Sequence, residues 1–447
     1  MALTGLDIYK QLPKKNCGEC GPPTCLAFAM NLAAGKANLD SCPYVTDAAR
    51  EALAAAAAPP IALVKVGTGD HTVNLGDEKV IFRHEKTFYN EPGIAVEVED
   101  TLPPDELLAR VKEIDDLKFN RVGMEYRVNM LALRCSSGQA DKFVSAVKTV
   151  ASNTGLALVL ICEDPGVMEQ ALAVVAARKP LVYAATAENY DSMAALAKSQ
   201  GCPLAVKGKG LDATAELAEK VAALGHKELV LDTSPDGPSR ALADFTQIRR
   251  LAIKKKVRPL GYPIIAFTNP AGSPEEQIME ASTYVAKYAS LVVVRASGKN
   301  ELLPLLTWRQ NIYVDPQKPI QVEAKVWEIG DVSPKSPVYL TTNFSLTYFS
   351  VQGEVEASKI PAYILPVNTD GTSVLTAWAA GKYSAEIIAD FLKTSGIEEK
   401  VEHRECVLPG YVAVLSGKLQ ELSGWKVVVG PREASGIPSF ARNRYSA

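Results

Sequence analysis

Beyond residue 60 the chain alternates between short apolar runs and longer segments whose apolar positions recur every three to four residues. The runs are Ile61–Val66, Val128–Leu133, Leu156–Ile161, Leu181–Ala184, Pro203–Val206, Glu228–Leu231, Pro263–Phe267 and Leu291–Val294. Runs of this length suit strands buried on both faces, and the segments between them, such as "DKFVSAVKTVASNTG" and "DATAELAEKVAALGHK", have the period of amphipathic helices. A hairpin-like stretch, "HTVNLGDEKVIFRHE", decorates the first run. Eight buried strands with helices between them predict a central (β/α)8 (TIM) barrel. A doubly wound open sheet is the alternative, but no G-x-G-x-x-G follows the first run.

From Val326 onward the pattern restarts. "SPVYLTTNFSLTYFSVQGEVEAS" reads as strand, polar loop and helix, and "PAYILPVNTDGTSVLTAWAAGKYSAEIIADFL" repeats it. "YVAVLSGKLQELSG" and "WKVVVGPREASGIPSF" do so again, the last ending in a loop. This predicts a parallel α/β domain of flavodoxin/Rossmann-like type, whose ligands sit beyond the C-terminal ends of the strands. Three loops are expected to meet there: Thr341–Asn343, Asn368–Ser373 and Gly430–Gly436. At the other end, "REALAAAAAPP" is a helical tail followed by an Ala-rich link that two prolines stop, a plausible hinge. The predicted units are 1–58, 59–325 and 326–447.

Composition narrows the function. With 447 residues, 47% apolar and 22% charged, the chain has the make-up of a multidomain globular protein. A formal net charge of −3 points to no nucleic acid and no anionic membrane as partner. The start "MALTGLDIYKQLPKK" lacks the apolar core of a secretory signal, and no run is long enough to span a bilayer. The expected location is the cytoplasm, where thiols stay reduced.

That matters for the cysteines. Four of the eight, Cys17, Cys20, Cys25 and Cys42, fall inside "NCGECGPPTCLAFAMNLAAGKANLDSCPYV" with the spacing C-x2-C-x4-C-x16-C. Gly18 and Gly21 permit a tight loop around the first pair. "TCLAFAMNLAAG" reads as a short helix stopped by Gly35, and Asn38, Asp40 and Ser41 turn the chain back so that Cys42 closes the set. In a reducing compartment such a set reads as a metal site. Small apolar surroundings and Pro43 after the last cysteine suit an iron–sulfur cluster, while four-thiolate structural zinc and unligated core thiols stay open. The spacing matches neither common ferredoxin pattern.

The stretch "LTGLDIYKQLPKKNCGECGPPTCLAFAMNLAAGKANLDSCPYV" closely resembles the start of the large (gamma) subunits of the corrinoid iron–sulfur proteins of the reductive acetyl-CoA (Wood–Ljungdahl) pathway, and the likeness runs through the whole chain. The resemblance implies a 4Fe–4S cluster on Cys17, Cys20, Cys25 and Cys42. It also implies a cobalamin-type corrinoid on the C-terminal domain, contacted by Thr341, Asn343, Thr347, Gly371, Thr372, Ser373, Val374, Ala434 and Gly436. The implied function is that of a methyl carrier, a component of a methyltransferase system. Co(I) accepts a methyl group from methyltetrahydrofolate through a separate methyltransferase, methyl-Co(III) donates it to acetyl-CoA synthase, and the cluster reduces any Co(II) back. The implied partners are the small subunit of a heterodimer, the methyltetrahydrofolate:corrinoid methyltransferase, acetyl-CoA synthase/carbon monoxide dehydrogenase, and a reductive activator or ferredoxin.

The residues alone are compatible with this scheme. "NTDGTSV" offers free N–H groups and hydroxyls at a helix start, and "GPREASGIPS" offers small positions where a planar ligand can lie; plain βα turns are the other reading. Many corrinoid domains carry D-x-H-x-x-G, whose histidine ligates cobalt. None of His71, His84, His226 and His403 satisfies it, since position 69 is Gly. A weakly held lower face eases reduction of the metal and gives a low-potential cluster a task. On the barrel rim Glu163, Asp164, Asp232, Thr233 and Asn269 are candidates for a working pocket, although caps and turns use the same residue types. Cys135, Cys162, Cys202 and Cys406 read as buried reduced thiols. A stand-alone pterin-dependent methyltransferase working through the barrel, and a zinc-stabilised scaffold, are the alternatives.

Overall fold

The computed structural model describes residues 5–33, 37–47, 49–50, 53, 59–82, 88, 90–314 and 319–445. At the N-terminus, helices α1 (Gly5–Gln11) and α2 (Cys25–Ala33) pack around Ile8, Leu12, Phe28 and Ala29. Most of the expected hinge over Arg50 to Pro60 lies outside the described residues.

The next strands, β1 (Ile61–Val66) and β2 (Val73–Glu78), form an antiparallel hairpin. They do not join the barrel, which corrects the expectation that the first apolar run opens it. The hairpin closes the barrel's N-terminal end instead. Val64, Val66, Val73 and Leu75 pack into the same cluster as the barrel-interior residues Ala95, Met130, Val159, Val230 and Val293. Ala62 N–H and Gly67 N–H donate to the carbonyls of Gly261 and Lys179, which precede barrel strands.

The strand that opens the barrel is β3 (Gly93–Glu99), which the apolar pattern passes over. "GIAVEVE" carries two carboxylates, and only the fold shows how Glu97 is neutralised. A small hairpin, β4 (Lys118–Arg121) and β5 (Met124–Arg127), follows. The remaining barrel strands are β6 (Met130–Arg134), β7 (Ala157–Ile161), β8 (Leu181–Ala185), β9 (Leu204–Lys207), β10 (Leu229–Asp232), β11 (Ile265–Phe267) and β12 (Leu291–Val294). Their order in the sheet is β10-β9-β8-β7-β6-β3-β12-β11, all parallel, and a parallel bridge between Leu231 and Ile264 joins its two ends. Helices lie between the strands, as the predicted eightfold barrel requires.

The C-terminal sheet holds β13 (Trp327–Ile329), β14 (Val338–Thr342), β15 (Ala362–Val367), β16 (Glu405–Leu408) and β17 (Lys426–Val429) in the order β13-β15-β14-β16-β17. All pairs are parallel except the β13 edge. Two expectations are corrected here. "YVAV" is not a strand: "ECVL" just before it is, and Gly410–Leu415 forms a 3₁₀ segment ahead of the helix Ser416–Ser423. The last described segment is also a helix, Ile437–Tyr445, rather than a loop. Among the described residues no helix is long and apolar enough to cross a membrane.

Candidate cofactor sites

Cys17 and Cys20 sit in the loop before α2, Cys25 opens that helix, and Cys42 follows a 3₁₀ turn over Leu39–Ser41. Lys14, Asn16, Gly18 and Gly21 all take left-handed backbone (φ 57°, 48°, 76° and 99°), which curls the chain around Cys17 and Cys20. Asn16 fixes Cys25 against this loop. Its Oδ1 accepts the Cys25 N–H at 2.8 Å, while its own N–H points to Cys25 Sγ at 3.4 Å. Asn38 accepts the Asp40 N–H and so caps the turn that delivers Cys42. Cys25 and Cys42 are buried, Cys20 is half-buried and Cys17 is exposed.

Burial pushes the Cys20 thiol up, a backbone hydrogen bond opposes it, and the charges of Cys42, Cys17 and Cys25 add to the rise. A positively charged inorganic core would offset charge among thiolates gathered in this segment. Among the described residues no three His, Cys, Asp or Glu side chains are arranged to hold one metal ion. A cubane asks for a wider spread than a single ion, because each thiolate binds a different iron. The donor set and its apolar backing fit an iron–sulfur cluster.

The second site lies on the C-terminal sheet. The chain passes from β14 to β15 on one side and then crosses back to β16 on the other. β14 and β16 meet only at Tyr339 and Val407, so their C-terminal ends part. A crevice opens at such a crossover. Here it is a cavity of about 430 Å³ walled by Thr341, Phe344, Thr347, Val351, Ser373, Val374, Leu408, Tyr411, Pro431, Ala434 and others. Thr341 is 1% exposed, and its Oγ1 is buried without a hydrogen-bond partner. A buried hydroxyl without a protein partner in a cavity wall is available to a group bound in the cavity.

Five of the nine residues expected at a corrinoid line this cavity: Thr341, Thr347, Ser373, Val374 and Ala434. The other four stand behind its wall. Asn343 Oδ1 accepts the N–H groups of Thr369 (2.9 Å) and Gly371 (3.1 Å), and its Nδ2 donates to Gln321 and Asn368. It shapes the loop. Thr372 donates to the Thr369 carbonyl at 2.7 Å. Gly371 takes φ 70°, and a Cβ there would come within 2.7 Å of Gln321. A Cβ at Gly436 would lie 2.7 Å from Pro431. The cavity's apolar rim, where Leu346, Leu375 and Tyr411 are exposed, is not legible in the sequence, because isolated apolar residues in helices read as core.

Histidines are absent from the described wall of this cavity. His403 binds the Ser336 carbonyl at 2.9 Å, at the opposite end of the strands, and His71 packs over Gly155 at the base of the barrel. His84 lies outside the described residues.

At the barrel rim the expected candidates divide. Asp164 caps the helix Pro165–Val175 through Gly166 N–H and Val167 N–H, and Asn269 closes a turn by accepting the Ala271 N–H. Glu163 pairs with Lys207 at 2.6 Å. Asp232 is buried and accepts the Tyr183 hydroxyl at 2.6 Å. Thr233 is buried with its Oγ1 unpartnered. Of the other cysteines, Cys162, Cys202 and Cys406 are buried and Cys135 is half-buried.

These features place the chain first in a broad class. Residues 63–441 match the family described as CO dehydrogenase/acetyl-CoA synthase delta subunit, and residues 12–44 match an Fe-S cluster family. The chain is 60% identical over 442 residues to the corrinoid/iron-sulfur protein large subunit of Moorella thermoacetica, covering 99% of both chains. It is 36% identical over 452 residues to the acetyl-CoA decarbonylase/synthase complex subunit gamma of Methanothermobacter thermautotrophicus, covering 98% of both. The chain belongs to this family of corrinoid/iron–sulfur protein large subunits and acetyl-CoA decarbonylase/synthase gamma subunits. A dihydropteroate synthase from Xanthomonas albilineans overlays 56% of this chain and 99% of its own, with a TM-score of 0.38 and 14% identity.

Proposed function

We propose that this chain is the large subunit of a methyl carrier. It takes a methyl group from methyltetrahydrofolate through a separate methyltransferase and delivers it to acetyl-CoA synthase. When bound, the corrinoid supplies the cobalt that holds the methyl group, and the 4Fe–4S cluster supplies single electrons that restore the cobalt to its active state. The chain's own residues bind, orient and shield. Cys17, Cys20, Cys25 and Cys42 hold the cluster. Thr341 offers an unpaired hydroxyl, Thr347 and Ser373 add polar contacts, and Val374 and Ala434 leave room for a planar face. Asn343, Gly371 and Thr372 set the loop that positions them.

The observation that carries this reading is the crossover cavity with Thr341 buried and unsatisfied in its wall. Its rim supports a covered ligand: Leu346, Leu375, Tyr411 and Val414 are exposed there or beside it, the last at 73%. Exposed apolar residues gathered at a cavity mouth mark a surface that another molecule covers. We assign that cover to the corrinoid and the small subunit of a heterodimer, and we divide the chain into functional units 1–58, 59–325 and 326–447. Partner exchange then calls for movement of the C-terminal unit. An acetyl-CoA synthase/carbon monoxide dehydrogenase receives the methyl group, a reductive activator or ferredoxin feeds the cluster, and the setting is the cytoplasm.

The test is anaerobic purification with the companion subunit, followed by absorption spectroscopy and metal analysis. A broad iron–sulfur shoulder with redox-sensitive corrinoid bands, and both iron and cobalt in the protein, are expected. Protein lacking both metals overturns the reading.

A further inference from the structure

The C-terminal mouth of the barrel holds a second polar cavity, about 270 Å³, that the methyl-carrier reading does not use. Its wall is built from strand ends around the barrel: Glu97 on β3, Arg134 on β6, Tyr183 on β8, Asp232 on β10, Phe267 on β11, and Arg295 just after β12. Binding sites of such barrels gather on this face.

The cavity is organised around one buried carboxylate. Glu97 accepts Arg134 Nε at 2.9 Å and Nη2 at 2.7 Å, and Arg295 Nε at 3.0 Å and Nη2 at 2.7 Å. Arg295 also reaches Glu99 at 2.8 Å. Every one of these bonds uses Nε or Nη2. The Nη1 groups of both arginines make no hydrogen bond among the described residues, although each guanidinium is only 33% and 40% exposed. Glu97 thus fixes two guanidinium planes and leaves a pair of donor edges over. Lys207 lines the same cavity and is paired with Glu163 at 2.6 Å, so the free donor edges belong to the two arginines. Ser234, also in the wall, takes φ 45° and has a buried Oγ without a partner. The second carboxylate, Asp232, is engaged by Tyr183 O–H at 2.6 Å and Ser234 N–H at 2.7 Å. The rings of Tyr183 and Phe267 meet edge to face at 4.9 Å within the wall.

We propose that this mouth binds a small organic oxyanion, a carboxylate or a phosphate ester, between Arg134 and Arg295, with Ser234 donating to it. Planar guanidinium edges held at a fixed angle match the geometry of such groups. The size restricts the ligand, since the cavity falls just under the usual range of about 300–1,000 Å³ for small-molecule pockets. The site makes the barrel a sensor or second binding module rather than a plain spacer.

The experiment is isothermal titration of the full-length chain, with its companion subunit, at constant ionic strength. Inorganic phosphate and succinate are the two probes. Saturable binding of one or both is expected; succinate alone identifies a carboxylate ligand and phosphate alone a phosphate ester. Arg295→Gln should weaken binding about tenfold or more, the size of a lost charge-assisted hydrogen-bond pair. Ser234→Ala removes only an unpaired hydroxyl, so the fold stays intact, and it should weaken binding severalfold. Lys299→Gln, paired with Asp116 elsewhere on the surface, should not change it. No saturable binding of either probe, unchanged affinity in both Arg295→Gln and Ser234→Ala, or an equal loss in Lys299→Gln overturns the assignment.

Discussion

Asn343 holds Thr369 by two hydrogen bonds to a single oxygen: Oδ1 accepts the Thr369 N–H at 2.9 Å and its hydroxyl at 3.1 Å. Gly371 N–H is a third donor to the same atom. The loop after β15 therefore depends on a side chain at the end of β14. Asn343→Ala strands these donors in a buried site, and the expected cost is about 2–4 kcal/mol. Denaturant unfolding checks this, and corrinoid retention should fall with stability.

Thr341 should behave in the opposite way. Its hydroxyl has no partner in the protein, so Thr341→Val keeps the shape and changes stability by less than about 1 kcal/mol. Corrinoid loading should nevertheless drop several-fold. Cobalt per chain after desalting, set against the unfolding midpoint, separates the two effects.

Gly371 tests the loop from the backbone side. At φ 70° an alanine is strained, and its Cβ would press on Gln321 and the Pro319 carbonyl. Gly371→Ala is expected to cost about 1–3 kcal/mol and to lower cobalt content along with stability.

The cluster predictions rest on the thiols. Cys20→Ala should block reductive reactivation of inactive cobalt while leaving methyl uptake by chemically pre-reduced protein largely intact. Stopped-flow methylation started from each state reads the difference. Equal failure in both would remove the separate electron-delivery role.

Glu97 gives a pH prediction. Burial pushes its carboxyl up, but the hydrogen bonds and charges of Arg134 and Arg295 outweigh burial and hold it below the ordinary value of 4.5. A depressed folded value means that its stabilisation is present above pH 4.5 and is lost as pH falls through the lowered value. Glu97→Gln should therefore remove part of the acid-side slope of the melting temperature. At neutral pH it should cost about 2 kcal/mol, less than a fully buried pair would, because both arginines reach solvent. Melting curves from pH 3 to 8 decide it.

The sequence by itself determined the clustering of four cysteines, the eight-strand barrel class and the three loops of the second sheet. Each rests on local spacing: thiols at short intervals, apolar runs of strand length, and polar turns after them. Tertiary structure decided what local spacing cannot encode. Glu97 reads as a surface residue until β6 and the segment after β12 bring Arg134 and Arg295 to it, so the opening barrel strand went unseen. Ile61–Val66 reads as a barrel strand because a plug and a wall are equally apolar. Thr341 and Asn343 look alike in sequence, yet one hydroxyl is left unpaired in a cavity wall and the other side chain is spent inside the loop. Hydrogen-bond satisfaction is a property of neighbours far apart in the chain, and it was this that separated candidate ligand contacts from scaffold.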